Sequence, residues 1–357
     1  MTATFRLIDS GVRDGRLQIA ETAALIELHA AGQLPDLVRF LRFPPTVLIG
    51  RHQIMESEVH VERCRAEGVG LVRRVTGGGA IYLDEGQVGW ELVFDRRRLP
   101  RPSLSDYARD ICGAVALGLS EAFGIDARFR PRNDIEVGGR KISGTGGYFS
   151  GNTLVYQGTV LVDMDAARMT RLINIPAAKL ARHGAAMAES RVITLKDLLG
   201  AAPAVAQVQQ AVLGGLRTGL GIEVASEGQQ AQWTDLTRRL HDEEFGTDAF
   251  VFGDAPTKGE NVLEGVRETA GGTVRTLLRL EGARGHRHIR EIVLTGDFFI
   301  TPPRTIYDLE AALRGAAVED AGAAIEAHFA RASIDMLSVS KDDFRDAVLV
   351  AIAGDPA

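Results

Sequence analysis

A pair of glycines between two short apolar segments limits the fold more than any other feature of this sequence. Gly138 and Gly139 separate Ile135–Val137 from Arg140–Ile142. Glycine readily adopts the positive φ angles of a two-residue hairpin turn, so the two segments are predicted to be antiparallel strands. The other predicted strands are also short, and helices are interspersed irregularly among them. We therefore expect an α+β fold whose large domain has a mainly antiparallel sheet flanked by helices, and not a Rossmann sheet.

Apolar spacing and glycine positions predict the remaining elements before the C-terminal part of the chain. The apolar residues of Leu17–Ala30 share one helical face, and Asp106–Phe123 is a helix that stops at Gly124. Helices are expected to dominate from Ala166 to about Leu240. The other predicted elements are a short helix at Val59–Glu67 and strands at Thr4–Ile8, Leu37–Leu41, Thr46–Ile49, Leu71–Val75, Ala80–Tyr82, Val88–Phe94 and Leu154–Val162.

The C-terminal part is predicted to form a separate small domain. A chain of 357 residues is long enough for two hydrophobic cores. The segment Gly253–Asn261 contains a proline and two glycines and is typical of a linker. Beyond it we predict strands at Gly272–Leu280 and His288–Leu294 and helices at Ile306–Leu313 and Val318–Phe329. We expect a large domain at residues 1–252 and a small α+β domain at residues 262–357.

Composition argues against several classes of protein. The net charge of −6 gives no reason to expect a nucleic-acid or membrane partner. Two cysteines, Cys64 and Cys112, are too few for a disulfide framework, and their spacing fits no metal site. The N-terminal residues contain no apolar signal segment, and no apolar run approaches the ~20 residues of a membrane span. A cytoplasmic, reducing location is the expectation.

Three consecutive glycines make the densest candidate site. Gly77–Gly79, here called the glycine loop, follow Arg73 and Arg74 and precede Ala80, Ile81 and Tyr82. Glycines leave backbone N–H groups uncovered, so such a loop can bind an anion. The two arginines add fixed positive charge and donors suited to phosphate. The same pattern also fits a flexible hairpin loop beside surface arginines, and these residues alone leave both interpretations open.

A lysine near the predicted hairpin is the second candidate. Lys141 lies on the second strand, just before the small residues Ser143–Gly147, and Asn133 and Asp134 lie across the hairpin. Small residues let a ligand approach the backbone, and a lysine held beside a carboxylate and a phosphate stays charged and stabilises negative charge. A lysine that simply points into solvent is the alternative. Gln157-Gly158-Thr159 on a later strand is a third segment where a ligand could pack closely.

Taken together, these segments resemble the lipoate–protein ligase family. That family belongs to the superfamily of biotin ligases, lipoate ligases and octanoyltransferases. The resemblance rests on several segments that occur in the family's order along most of the chain. They are Val47–Gln53, Arg73–Tyr82, Asn133-Asp134 with Arg140–Gly144, Gly158-Thr159 with Leu161, Ser190–Leu195 and, in the C-terminal part, Gly271-Gly272 and Gly296–Phe299.

The resemblance implies an activity and roles for the residues. The chain would activate lipoate with ATP and Mg²⁺ to give lipoyl-AMP, and transfer the lipoyl group to a lysine of an acceptor. That acceptor would be an E2 lipoyl domain, a glycine-cleavage H-like protein or a specialised lipoate-binding carrier. Arg74 would contact ATP phosphate. Lys141, in the motif with Asn133 and Asp134, would touch the acyl carboxylate and the α-phosphate, while the glycine loop, Ala80, Ile81 and Tyr82 would line the site.

The sequence departs from the family pattern at two residues. Leu83 and Gln157 stand where family members often carry histidine, and we expect these changes to alter pocket polarity or acceptor choice.

An octanoyltransferase that uses no ATP would need a cysteine near Lys141 or after Leu161, where the sequence has none. A biotin ligase would carry a Gly-Arg-Gly-Arg loop, which is missing. A non-catalytic acyl-carboxylate sensor would have lost Lys141 or the arginines.

Overall fold

The computed structural model describes residues 3–174, 191–225, 231–253, 261–269, 271–283, 285–331 and 333–355. Among these residues the strands, in chain order, are β1 (Ala3–Val12), β2 (Leu37–Arg42), β3 (Thr46–Ile49), β4 (Gly70–Arg73), β5 (Ile81–Leu83), β6 (Gln87–Asp95), β7 (Ala127–Arg130), β8 (Asp134–Val137), β9 (Arg140–Ser150), β10 (Thr153–Leu161), β11 (Ile222–Ala225), β12 (Leu263–Thr269), β13 (Gly272–Glu281), β14 (His288–Gly296), β15 (Ile300–Thr301) and β16 (Asp335–Met336).

The helices of the described residues lie mainly between these strands. In chain order they are α1 (Gly15–Ala30), α2 (Met55–Glu58), α3 (Val61–Ala66), α4 (Leu104–Phe123), α5 (Ala166–Leu172), α6 (Leu195–Leu199), α7 (Val205–Leu220), α8 (Ala231–Leu240), α9 (Asp248–Phe252), α10 (Thr305–Leu313), α11 (Ala321–Arg331) and α12 (Lys341–Ala353). A π-helical turn at His241–Phe245 continues α8, and a 3₁₀ turn at Val318–Asp320 precedes α11. None of the described helices combines the length and the apolar character that crossing a membrane requires.

The large sheet is mainly antiparallel, as predicted. In the described part of the chain its strand order is β11-β1-β2-β6-β10-β9-β8-β7. Only the pairings of β1 with β11 and with β2 are parallel. The hairpin of β8 and β9 is present, and its turn residues have the expected positive φ, 58° at Gly138 and 76° at Gly139. The short strand β11, at the edge of the sheet, was not predicted from the sequence.

Two hydrophobic layers cover the two faces of the large sheet. On one face, Trp90 and Tyr156 pack against helices α4 and α7. On the other face, Val93 and Val155 pack against α1 and against a small sheet of order β4-β3-β5. The sequence pattern fits this arrangement, because successive residues of a strand point to opposite faces. The space between the two sheets is therefore bounded mainly by side chains of the large domain.

Several predicted boundaries need correction. The predicted helix Val59–Glu67 is shorter, Val61–Ala66, because Val59 instead forms a bridge with Ile173, and the short helix α2 that precedes it was not predicted. Strand β4 ends at Arg73 rather than Val75, and β5 begins at Ile81 rather than Ala80. The predicted helical stretch from Ala166 to Leu240 contains α5 to α8 but also β11, and its residues 175–190 and 226–230 lie outside the described residues.

The C-terminal domain has a core of its own. In the described residues a three-stranded antiparallel sheet, β12-β13-β14, packs against α10, α11 and α12 around Leu278, Leu309 and Phe344. The two predicted strands and two predicted helices are present with shifted ends. Strand β12 was missed because Val266, 37% exposed, and its polar neighbours give it little apolar signal. Helix α12 was also missed. Residues 254–260 of the predicted linker lie outside the described residues, so the proposed domain boundaries stay a prediction.

Backbone atoms make many of the contacts between the two domains. The amide of Gly296 and the hydroxyl of Thr295 both donate to the carbonyl oxygen of His52, at 3.1 and 2.7 Å. The amide of Phe149 donates to the Thr301 hydroxyl at 2.8 Å. The His52 ring stacks on Phe298 at 5.2 Å between ring centroids. These contacts bring the segment that connects β14 to β15 against the glycine loop.

Candidate functional site

A cavity of about 410 Å³ lies between the large sheet and the small sheet. This volume is in the range of sites that hold small organic ligands. Residues of both domains line the cavity, and most of the predicted site residues are among them. The predicted residues on its surface are Arg74, Gly77, Gly79, Ala80, Ile81, Tyr82, Asn133, Asp134 and Lys141. Gly78 lies directly beside the cavity but does not line it.

One part of the cavity is an aliphatic and aromatic slot. Its walls come from α1, β2 and the residue after it, β3 and β5, and its side chains belong to one hydrophobic cluster. Gly89 on β6 keeps the floor open, because an added Cβ would lie 2.9 Å from the Leu41 carbonyl oxygen. An apolar chain placed here would be removed from water on all sides that the walls cover. The residues of this apolar slot are Ile19, Leu41, Phe43, Leu48 and Leu83.

Lys141 lies at a polar part of the same cavity. Its ammonium nitrogen is 2.8 Å from Asp134 Oδ1, and its side chain is 35% exposed. The other oxygen of Asp134 accepts a hydrogen bond from Arg130 at 2.9 Å. Gly144 makes room for the lysine, because a Cβ at this residue would lie 2.7 Å from Lys141 Nζ. The hairpin thus holds an ammonium group at the cavity surface, paired but still accessible.

The backbone around Lys141 is fixed by a second segment. Arg191 O accepts from Lys141 N at 2.8 Å, and Ile193 N donates to Lys141 O at 2.9 Å. On the other side, Asn133 is tied to Thr145 by the Thr145 N–H and by the Thr145 hydroxyl, at 2.9 and 2.8 Å. Asn133 therefore orders the strand that carries Gly144, and Val192 lines the cavity beside the lysine.

Arg74 supports the glycine loop from beneath. Its guanidinium donates to the carbonyl oxygens of Gly77 at 2.7 Å and Gly79 at 2.8 Å, and to Leu48 O at 3.4 Å. Burial lowers the Arg74 pKa to about 10, which leaves the group charged at neutral pH. The loop carbonyls therefore point toward a positive charge. In the described residues the amides of Gly77 and Gly79 have no protein acceptor.

Arg73 does not belong to this site, although its position beside Arg74 suggested that it would. Arg73 is the last residue of β4 and Arg74 follows it, and their side chains have different partners. The Arg73 guanidinium donates to the carbonyl oxygens of Arg51 and Gln53, at 2.8 and 2.6 Å, and to that of Phe250 at 2.8 Å. It stabilises the loop after β3 and the end of α9, outside the cavity.

The C-terminal domain completes the glycine loop, which sequence patterns did not reveal. Gly78 N donates to Phe298 O at 3.0 Å. The Phe299 ring lies over Gly78 and Gly146, where an added Cβ would come within 2.5 and 2.1 Å of ring atoms. Asp297 and Phe299 line the cavity. The resemblance had drawn attention to Gly296–Phe299, but no local pattern indicates that this segment reaches a loop more than two hundred residues away.

The sequence of this chain matches a known protein family. The family model described as the lipoyl protein ligase A/B catalytic domain matches residues 14–217, more than half of the chain. The chain belongs to this family. Enzymes of the family attach lipoyl or octanoyl groups, so the chain is an enzyme of the lipoate ligase and octanoyltransferase type.

A related sequence in this family is an octanoyltransferase. The octanoyltransferase LipM of Symbiobacterium thermophilum is 29% identical over 245 residues, which cover 62% of this chain and 88% of LipM. The family thus includes both transferases and ligases, and membership alone does not assign one activity.

Solved structures share the fold. LipL1 of P. falciparum in complex with lipoate matches with a TM-score of 0.74 at 15% identity, over 97% of this chain and 99% of that one. The bi-partite lipoate protein ligase of Thermoplasma acidophilum, described with its E2 lipoyl domain, gives 0.63 at 24% identity, over 72% and 99%. A lipoate-protein ligase A bound with ATP gives 0.61 at 24%, over 71% and 99%. The LipL1 match extends over the C-terminal domain.

Both cysteines of this family member are buried, and neither is part of the cavity surface. Cys64 is buried in the core beneath β3 and β4, and Cys112 is buried on α4. Cys112 Sγ lies 3.3 Å from Thr145 Oγ1 and 3.5 Å from the Tyr156 hydroxyl, and neither cysteine lines the cavity. Burial raises the pKa of each thiol to about 11. Both therefore stay as unreactive thiols at neutral pH.

Proposed function

We propose that this chain is an ATP-dependent lipoate–protein ligase. It would convert lipoate and ATP to lipoyl-AMP and pyrophosphate, and then transfer the lipoyl group to a lysine of an acceptor protein. The observation that carries the proposal is the continuity of one cavity. The apolar slot suits the acyl chain, Lys141 suits the carboxylate, and the glycine loop suits the phosphates.

In the first step two anions must react. A carboxylate oxygen of lipoate attacks the α-phosphorus of ATP, the bond to the bridging oxygen breaks, and pyrophosphate leaves. Lys141 is expected to bind the carboxylate and an α-phosphate oxygen together, which offsets the repulsion between them. Asp134 positions the ammonium before substrates arrive. The charged Arg74 and the amides of the glycine loop follow the charge that develops on the phosphates.

In the second step the nucleophile comes from the acceptor protein. Its neutral lysine amine attacks the acyl carbonyl carbon, an amide forms, AMP leaves, and the amine loses a proton. Lys141 is expected to polarise the carbonyl oxygen as it becomes an oxyanion. The partner is therefore a protein or domain that accepts lipoate on a lysine. A relative with this fold is described together with its E2 lipoyl domain, which supports a lipoyl domain as acceptor.

Magnesium is expected to enter as part of the substrate. The described residues contain no group of three or more His, Cys, Asp and Glu side chains that could hold a metal ion. Mg²⁺ commonly binds through substrate phosphates while keeping several of its waters. MgATP therefore needs no preformed protein cage. Asp134 and Asp297 are carboxylates that line the same cavity, and they are the groups expected to contact waters of the bound Mg²⁺.

The octanoyltransferase activity of the relative LipM is the rival function. A transferase that passes the acyl group through a thioester needs a reactive thiolate at the acyl site. Cys64 and Cys112 are buried, have raised pKa values and are absent from the cavity surface. These properties favour activation by ATP over acyl transfer through cysteine.

The two functions differ in their donors, so one reaction scheme separates them. The chain is incubated with a lipoyl domain and either lipoate with MgATP or an octanoyl carrier protein without nucleotide. We expect modification of the domain lysine, measured by mass spectrometry, only with lipoate and MgATP, together with AMP and pyrophosphate release. Modification from the octanoyl carrier alone, with none from lipoate and MgATP, would establish the transferase instead.

A further inference from the structure

Gln157 brings a polar group to the wall of the cavity. It lies in the middle of β10, where the chain is covered on both faces, yet its side chain is only half-buried and lines the cavity. The exposed part of the side chain therefore faces the cavity rather than bulk solvent. Gln157 shares its sheet face with Val155, because residues two apart in a strand point the same way.

The orientation of the Gln157 amide is fixed by its two partners. Nε2 donates to Glu91 Oε2 at 2.6 Å, and Oε1 accepts from the Thr76 hydroxyl at 3.2 Å. A carboxylate can only accept, so the amide nitrogen must face Glu91. An amide nitrogen carries two hydrogens, and Glu91 takes one of them. In the described part of the chain the second N–H has no protein acceptor, and it remains available to a ligand.

A buried charge network prevents the amide from turning away. Glu91 is fully buried, and its Oε2 also accepts from Thr22 Oγ1 at 2.9 Å. Arg39, equally buried, lies 3.7 Å from Glu91 Oε1. The Arg39 guanidinium is itself held by Gln18 Oε1 and Glu21 Oε2, both at 2.5 Å. Rotating Gln157 would remove a hydrogen bond from a carboxylate that water cannot reach.

The sheet register places Gln157 within reach of an acyl chain held at Lys141. Gln157 pairs with Gly146 across the strands, and Gly144, two residues before it, contacts the end of the Lys141 side chain. Two residues along a strand and one step between strands separate the backbones of Gly144 and Gln157 by roughly 8 Å. An eight-carbon acyl chain whose carboxylate contacts Lys141 can span that distance with its distal half.

We propose that Gln157 determines acyl specificity, favouring chains that carry an electron-rich atom in their distal half, such as the sulfurs of a dithiolane, over plain hydrocarbon chains. This inference rests on the proposed ligase function. A hydrocarbon chain would cover the free N–H without satisfying it, which disfavours binding. A sulfur is a weak acceptor that can satisfy it. The preference therefore comes from a polar group that a purely apolar slot would lack.

The test compares lipoate with octanoate in wild type and in Gln157→Leu. The ratio of kcat/KM for the two acids is measured by ATP–pyrophosphate exchange, and their Kd values by calorimetry. We expect wild type to favour lipoate and Gln157→Leu to lower that ratio about tenfold. Thr159→Val removes a different polar group from the same cavity wall and shows whether any loss of polarity changes the ratio; its ratio should stay within twofold of wild type, because the Gln157 amide is retained.

Two further variants separate the loss of the Gln157 donor from damage to its surroundings. Gln157→Leu leaves Glu91 short of a donor, so Gln157→Leu combined with Glu91→Gln is tested beside it and should give the same lowered ratio. Gln157→His keeps a donor and should keep the preference for lipoate. An unchanged ratio in a folded variant that still activates both acids would overturn this inference and leave the ligase function intact. No exchange with either acid in wild type would overturn both.

Discussion

The apolar slot consists of side chains from one domain, whereas the glycine loop is completed by backbone atoms of the other. Leu41, Leu48 and their neighbours close the slot within the large domain. At the loop, Phe298 O accepts from Gly78 N, and Phe299 covers the glycine. Binding of the acid should therefore depend little on where the C-terminal domain sits. Binding of the nucleotide should depend on it strongly, because phosphate and Phe298 O need the same amide.

This difference leads us to expect movement of the C-terminal domain during the reaction. Activation requires a site that excludes water from a hydrolysable mixed anhydride, whereas transfer requires access for a protein lysine. The hydrogen bond from Gly78 to Phe298 and the contact of His52 with Phe298 would break and reform in such a cycle. Identical domain orientations in the free, adenylate-bound and acceptor-bound states would contradict this expectation.

The largest effect is expected from the loss of Lys141, which is proposed to bind the acyl carboxylate and an α-phosphate oxygen together. Lys141→Ala removes the cation that faces carboxylate and α-phosphate together, and should lower the rate of lipoate-dependent pyrophosphate exchange by about 10²–10³. Single-turnover transfer from preformed lipoyl-AMP should fall as well. Lys141→Arg should not rescue, because the guanidinium is planar and its donors are differently placed. A folded Lys141→Ala variant with both rates within a few-fold of wild type would refute the assignment.

Gly77→Ala should separate the loop from the slot. An added methyl would lie 2.1 Å from Phe298 O and would crowd the amides proposed to bind phosphate. The Kd for ATP is expected to rise by about tenfold or more, because one to two hydrogen bonds to a charged group are lost. The Kd for lipoate, measured by calorimetry, should be unchanged. Gly113→Ala is the control, since a methyl there meets nothing within 4 Å. Equal losses for both ligands would mean that the two regions are not independent.

Leu48→Ala should have the reverse effect. The side chain is 2% exposed and lines the slot, and truncation removes about 2 kcal/mol of apolar contact available to the chain. The Kd for lipoate should rise about thirtyfold, while the Kd for ATP stays the same. Because core truncations also lower stability, the thermal unfolding curve of the variant is recorded first. The Kd values are then measured at a temperature at which the variant is folded. A rise in the ATP Kd alone would place the acyl chain elsewhere.

The smallest effect is expected from the cysteines. Both thiols have pKa values near 11, so they remain protonated at pH 8 and should resist alkylation in the native protein. Cys64→Ala and Cys112→Ala, separately and together, should retain lipoate attachment within about twofold, the variation usual for a residue that takes no part in the chemistry. Complete loss of attachment in a folded Cys112→Ala protein would revive the thioester mechanism.

Local sequence patterns predicted the parts of this site that local chemistry creates. The glycine pair is enough to pair Glu136 with Lys141, since a two-residue turn fixes the register of a hairpin, and Asp134 then follows two residues away on the same face. The contacts of Arg74 with loop carbonyls, and of Phe299 with Gly78 and Gly146, join distant segments through backbone atoms. Such contacts leave no periodic signal. Gln157 was noticed in a segment where a ligand could pack and as a departure from the family pattern, but not as an oriented donor, because the partner that orients it, Glu91, lies on another strand.

A crystal structure of the chain with lipoate and a non-hydrolysable ATP analogue tests the central claim most directly. We expect the acyl chain in the apolar slot, the carboxylate at Lys141 and the phosphates at the glycine loop. Phe298 O should be displaced from Gly78 N or should share the loop amides with the phosphates. Nucleotide bound away from Gly77–Gly79, or a carboxylate out of reach of Lys141, would contradict the proposal that one cavity performs both steps.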